Sequence, residues 1–395
     1  MQCIIFSEEY CHPENLFPFT LTRRIQDIRV GILTIREKWE QSLGLSSFDK
    51  WEGDYKESTR SITIDGNISE GNYLMIHANI LPTPALTMAI KALQPGQLLM
   101  HPVSGAIAFH FNATDVASLH KIRVRQTILY EDDVPSLQKP WDIFAINELA
   151  IQLDVDLITK GRRSAEISAT NQVIGKEKVF LEEGARLEYC IINASVGPVY
   201  IGKDALIMEG SMLRGPVAIL ENSVVKMGTK LYGATTIGPF CVAGGEIKNV
   251  VMMGYSNKAH DGYLGDAVIG EWCNLGAGTS ASNIKNNAGP VFVYHPASEG
   301  GKGMAGIKCG LMMADYSRAA INSSFNTGTV VGVSCTVFGS GLLPRYIPNF
   351  SWGAEGVRKY DFDNALKDIR NWKKLKDNDL SEREENILRY IYDNF

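Results

Sequence analysis

"IGKDALIMEGSMLRGPVAILENSVVKMGTKLYGATTIGPFCVA", residues 201–243, decides the fold. Counting in sixes from its first residue lands on Ile201, Ile207, Leu213, Ile219, Val225, Leu231, Ile237 and Ala243, all aliphatic. In a chain that is 45% hydrophobic, eight matches at one fixed spacing arise by chance roughly 0.002 of the time per starting point. Four places after the first seven come Ala205, Ser211, Val217, Ser223, Thr229, Thr235 and Cys241, all small. A helix repeats every 3.6 residues and a strand every two, so neither produces this beat. It is the pattern of a parallel β-helix. The aliphatic residue fills the interior, the small one fits beside a corner, and three hexads close one triangular coil. Successive coils then stack at the strand spacing of about 4.8 Å.

The beat spreads outward from this core. It continues at Tyr263, Ile269 and Leu275, with Ala267, Cys273 and Thr279 in the small slots, and again at Met313, Ala319, Phe325, Val331, Val337 and Leu343. An earlier, poorer run has Ile174, Phe180 and Ile192, interrupted by Arg186. Cys190, Cys241, Cys273 and Cys335 fall in small slots and read as interior packing. The first 150 residues differ. Apolar strands such as "CIIF" and "NYLMIHANIL" alternate with helical patterns such as "RVGILTIREKWEQSLG" and "PTPALTMAIKAL", which predicts an α/β domain. Residues 141–160 carry the spacing of a connecting helix. Beyond 355 the chain turns charged and helical, with Ser381 and Glu384 as a capping box, and reads as an amphipathic tail docked on its own protein or a sister subunit. The expected organisation is therefore an α/β domain over 1–160, a β-helix over 161–353 and a helical tail over 354–395.

Composition narrows the function classes. A net charge of −5 over 395 residues gives no electrostatic case for nucleic acid. No apolar run reaches the roughly 20 residues of a membrane span, and "MQCIIFSEEY" reads as a first strand and not a leader, so a cytoplasmic location is expected. Seven cysteines without a Cys-x-x-Cys pair argue against a disulfide framework or structural zinc. Between Ala243 and Tyr263 the register loosens in "GGEIKNVVMMGYSNKAHDG", which sets Glu246, Lys248 and His260 on or beside the prism. An imidazole, with a pKa near 6.5, is suited to act as a general base at neutral pH. His295, in "VYHPASEGGKG", has no comparable context and reads as a loop residue.

The run "GGEIKNVVMMGYSNKAHDGYLGDAVIGEWCNLGAGTSASN" resembles, without a gap, the acetyltransferase half of the bifunctional N-acetylglucosamine-1-phosphate uridyltransferase/glucosamine-1-phosphate N-acetyltransferase family. The resemblance implies a left-handed β-helix of hexapeptide repeats that assembles as a homotrimer. It also implies acetyl-CoA-dependent N-acetylation of an amino-sugar 1-phosphate, with UTP as the nucleotide donor. It places the base on His260, the sugar phosphate on Lys248 and on Lys230 where the family has arginine, and the sugar contacts on Tyr263 and Asn274, with Glu246 beside them. Ala277, Asn283 and Asn322 fall on the acetyl-CoA path. Residues 284–312 depart from the main bacterial form.

The first domain is similar to an alternative bacterial form, with a reduced, Rossmann-like nucleotidyltransferase domain. "LFPFTLTRR" matches a nucleotidyltransferase run, but the glycines usual in the phosphate-cradling loop are missing, and "MIHANILP" offers Asn79 where a metal-binding aspartate is usual. The resemblance assigns Arg23, Arg24 and Arg29 to nucleotide or sugar phosphate, and Asn147, in "INELA", to Mg2+. Two further readings stand beside it: an acyltransferase or nucleotidyltransferase for another nucleotide sugar, and a sugar-nucleotide-binding protein with an inactive first domain.

Overall fold

A computed structural model describes residues 2–8, 11–47, 71–113, 123–354 and 358–395. The chain divides into two compact units: Met1–Leu16, Arg23–Ile28 and Leu33–Gln138 form the first, and Phe17–Thr22, Arg29–Ile32 and Lys139–Phe395 the second. Two short segments of the early chain thus fold with the second unit.

The first unit is built on a five-stranded mixed sheet. Its strands are β1 (Gln2–Ser7), β2 (Gly71–His77), β3 (Gln97–His101), β4 (Gly105–Ala113) and β5 (Gln126–Leu129), in spatial order β1-β2-β4-β3-β5. β1 runs parallel to β2, while β4 is antiparallel to β2 and β3. Helix α1 spans Ile35–Leu43, shorter than "RVGILTIREKWEQSLG" suggests. Thr34 and Glu37 form its capping box, so the preceding residues stay extended, and Gly44 closes it in the left-handed region at φ 69°. Trp39, fully buried, donates its indole N–H to the Ile80 carbonyl at 2.8 Å. Helix α2 (Pro84–Ala92) begins with Thr83 as cap and proline at its first position.

The second unit is a parallel β-solenoid of about ten turns followed by helices. The hexads are its interior lanes: the eight residues from Ile201 to Ala243 are at most 1% exposed, and the seven small-slot residues between them are fully buried. The small slots bind the coils together. Ser223 donates to the Gly238 carbonyl at 2.6 Å and accepts from the Cys241 amide of the next coil, 18 residues on. Asp204, Asn222 and Phe240 turn one corner in the left-handed region at φ 55–56°. That conformation is costly off glycine and is held here by repetition down the stack. Cys190, Cys241, Cys273 and Cys335 are buried as their slots require. The later beat from Met313 to Leu343 is likewise interior.

Two register expectations need correction. Ile174 faces outward, 59% exposed, and Val173 packs toward the core. Tyr263 also faces outward, and Leu264 takes the interior lane. The cause is uneven coil length: Val173 pairs with Ile192 and Ile192 with Leu213, 19 and 21 residues apart, whereas after Cys241 the equivalent slots are Ser256, 15 residues on, and Cys273, a further 17. A six-residue count drifts across both. Two long strands, Glu246–Gly254 and Tyr263–Glu271, bend around the corner that other coils turn with a loop.

The connecting helix is two pieces, α3 (Asp142–Ala145) and α4 (Asn147–Thr159). The tail forms α5 (Phe362–Lys374) and α6 (Glu382–Asn394), the latter opened by the Ser381–Glu384 capping box. It docks on the solenoid of its own chain. Phe240, Tyr255 and Trp272 stack up one corner with centroids 4.9 and 4.3 Å apart. Lys373 sits 4.7 Å from the Trp272 ring and 2.7 Å from Glu384, which also accepts from the Tyr316 hydroxyl. No helix among the described residues is long and apolar enough to cross a membrane.

Candidate functional site

Parallel register stacks the polar residues of one solenoid face into two columns. Lys230, Glu246 and Tyr263 are neighbours in the first, and Tyr232, Lys248 and Gly265 in the second. The Tyr232 hydroxyl donates to Glu246 at 2.6 Å, and this bond, with burial, pushes the phenol up to about 12. The Lys248 ammonium lies 5.9 Å from the Tyr232 ring centroid. The two cations and the Tyr263 hydroxyl are therefore presented by one flat, rigid surface.

His260 lies at the adjoining corner, on the turn between strands Asn257–Lys258 and Tyr263–Glu271, and is exposed. It lines a cleft of about 480 Å³ together with Met208, Lys226, Met227, Ala259 and Ala277. Glycine shapes this rim: Gly244 is so close to the turn that an added Cβ would stand 2.3 Å from the Ala259 carbonyl oxygen. Ala277 accepts from the Asn322 amide at 2.7 Å, so Asn322 belongs to the same corner.

Other expected residues are placed differently. Asn283 is 8% exposed, and its amide nitrogen donates to the Tyr263 hydroxyl at 3.1 Å and to Asp266. It holds Tyr263 in place instead of lining an open path. Asn274 lies on a second face, beside Asn257 and Arg318, so one chain does not bring it together with Tyr263. Asn147 does not fit a metal ligand. It is fully buried, its oxygen accepts from the Gly31 amide at 2.6 Å, and its nitrogen donates to the Ala234 carbonyl and the Thr236 hydroxyl, pinning α4 to the solenoid. Arg29 contacts main chain. It belongs to the second unit, where its guanidinium donates to the carbonyls of Met253, at 3.1 Å, and Ile32. His295 is fully buried and not a solvated loop residue; its Nδ1 lies 2.8 Å from the Ser298 hydroxyl and its ring packs edge-on against Trp141.

In the first unit, Arg23 and Arg24 precede the short turn Ile25–Asp27. Glu8, just beyond β1, accepts from the Ile25 amide at 3.1 Å. Burial lifts its carboxyl to about 7, against the opposing pull of that amide and of Arg24. His77, at the end of β2, is lowered to about 4 by burial. Asn79 is buried and donates to the Leu137 carbonyl at 2.9 Å. Among the described residues no three His, Cys, Asp or Glu side chains cluster as a metal site.

Residues 3–163 match the sugar nucleotidyl transferase family. The chain is also similar to the "Bifunctional protein GlmU" of Methanocaldococcus jannaschii, 29% identical over 211 residues, covering 53% of this chain and 44% of that protein. A "Bifunctional sugar-1-phosphate nucleotidylyltransferase/acetyltransferase" of Sulfurisphaera tokodaii is 27% identical over 236 residues, 58% of this chain and 50% of the relative. The chain thus spans about half the length of the curated relatives it matches. Among solved structures, a hexapeptide transferase family protein from Anaplasma phagocytophilum aligns with 57% of this chain and 93% of its own at 17% identity and a TM-score of 0.25, too low to argue from.

The count in sixes missed Lys258, Lys226 and Asp266. Lys258 and Asp266 fall in the short coils, where the count is out of phase. Lys226 occupies an outward hexad position that carries no pattern of its own.

Proposed function

We propose that the solenoid transfers an acetyl group from acetyl-CoA to the amine of a sugar 1-phosphate, glucosamine-1-phosphate being the substrate that the resemblance favours. The observation that carries this reading is an exposed imidazole on the rim of a 480 Å³ cleft, one corner away from a face bearing Lys230, Lys248 and Tyr263. The substrate's ammonium must lose a proton before its nitrogen can attack a thioester. His260 accepts that proton, the nitrogen adds to the thioester carbonyl, and the tetrahedral adduct collapses as its remaining excess N–H proton passes to the departing sulfur, leaving the amide and the free CoA thiol. Lys230 and Lys248 hold the dianionic phosphate, and Tyr263 orients the ring. Ala277 and Asn322 border the acetyl donor. Asn274, on another face, completes the site from a second copy, which is the physical reason to favour a homotrimer with sites between its subunits.

For the first unit the proposal is nucleotidyl transfer to the sugar phosphate, from UTP in the leading reading, with Arg23 and Arg24 at the phosphates. The described donors do not fit a resident Mg2+, and no step is assigned through one.

The test supplies glucosamine-1-phosphate and acetyl-CoA and follows free thiol, with His260→Ala beside the wild type. Loss of the base predicts a fall in kcat of about 10²- to 10⁴-fold. An undiminished rate in the variant, or no thiol release by the wild type, overturns the acetyl-transfer reading. Pyrophosphate release on adding UTP and Mg2+ tests the first unit.

A further inference from the structure

One interior lane of the solenoid runs Ile207, Val225, Ala243, then Lys258, then Leu275. A lysine in a column of aliphatic residues is the one chemical anomaly of the lane. The side chain is 1% exposed. Its ammonium donates to the Gly244 carbonyl at 3.2 Å and to the carbonyl of His260. These carbonyls sit on adjacent coils, next to Gly245 and on His260 itself, and both Gly245 and His260 line the cleft.

We infer that Lys258 is a positioning residue: from inside the prism it clasps the His260 carbonyl to the neighbouring coil and so fixes the turn that presents the imidazole to the cleft. The inference rests on the reading of His260 as the base. Packing does not account for the residue. An aliphatic side chain serves this slot in every neighbouring coil, and burying an ammonium carries a desolvation penalty that two carbonyls only partly return. Nor does Lys258 reach the reacting atoms, since its nitrogen is buried and bound to two main-chain oxygens. What it adds is a side-chain tether at His260 on a turn whose main chain is held only further on, at the Asp261 and Gly262 carbonyls, Gly262 itself lying at φ 122°, a conformation open to glycine. An imidazole displaced by about 1 Å loses on the order of 10²-fold in rate.

The experiment compares wild type, Lys258→Met, His260→Ala and the double variant by thiol release and thermal unfolding. Methionine keeps the volume and removes the donors. The expected result is a kcat about 10- to 100-fold lower in Lys258→Met, with KM for both substrates unchanged, Tm unchanged or raised, and no additional loss in the double variant over His260→Ala. A wild-type kcat in Lys258→Met, a loss confined to KM, or a rate loss that tracks a lowered Tm overturns the inference. Lys258→Leu, the residue of the next coil, is the second variant. If neither folds, the lysine is a structural requirement and the positioning role is refuted. Full activity in His260→Ala instead identifies failure of the underlying reading.

Discussion

Gly244→Ala is the sharpest test of how the solenoid delivers the imidazole. The substitution adds one carbon on the rim, 2.3 Å from the Ala259 oxygen, 2.5 Å from its carbonyl carbon and 3.0 Å from the His260 nitrogen. Ordinary contact begins near 3.4 Å, so the 259–260 backbone must retreat by about 1 Å. Both obstructing groups are main chain, and no rotamer change relieves them. The prism beneath is held by stacked interior lanes, so the exposed turn yields first. Overpacking of this kind costs about 1–3 kcal/mol of stability, and a 1 Å shift of a general base costs about 10²-fold in kcat. Steady-state thiol release and a urea unfolding curve on the same preparation separate the two effects. Wild-type kcat in a protein that unfolds at the wild-type midpoint would refute the argument that this contact sets the position of His260.

Three further outcomes follow from the same geometry. Ile219→Ala, at a fully buried hexad position, should lower stability by about 2–5 kcal/mol in urea unfolding; a loss below 1 kcal/mol would contradict a close-packed interior. Glu8 is lifted from its ordinary 4.5 to about 7, so the folded unit holds its proton more tightly than the unfolded chain. Its contribution is full below about pH 4.5 and is lost as pH rises through about 7. Glu8→Gln should therefore stabilise the first unit by about 2–3 kcal/mol at pH 8 and little at pH 4, and equal unfolding midpoints of the two proteins at pH 8 would count against it. Asn147→Leu strands the Gly31 amide, the Ala234 carbonyl and the Thr236 hydroxyl in the interior, and should cost about 2–4 kcal/mol. It should leave the Mg2+ dependence of pyrophosphate release unchanged, and a shifted Mg2+ requirement would restore the metal-ligand assignment.

The solenoid is readable in the sequence because each hexad repeats one packing decision, and a slip of register would expose every interior residue at once. The same logic fails where coils shorten. The step from Cys241 to Ser256 is 15 residues, so Tyr263 reads as interior and Lys258 does not register as a lysine inside a prism. His260 draws attention in the sequence because the run around it is local and contiguous. An amide ahead of a helix looks the same in sequence whether it faces a metal or, as Asn147 does, three main-chain and hydroxyl partners, and only burial tells them apart. The destination of Asn283 depends on Asp266, 17 residues away, a pairing that follows from the bent corner and not from any spacing in the chain.

The hairpin between Ile284 and Cys309 is a side branch of the solenoid. Ser280 pairs directly with Ser324 and Ala281 with Phe325, across the whole excursion, while the Cys309 amide returns to the Asn283 carbonyl and closes its neck. The stack is continuous across that neck. The hairpin's strands, Phe292–Tyr294 and Lys302–Met304, are anchored on the stack, with Val293 and His295 fully buried and Tyr294 lying 3.7 Å from the Tyr346 ring, so the place for an inserted reporter is the exposed turn at Gly300, where an added carbon would meet nothing within 4 Å.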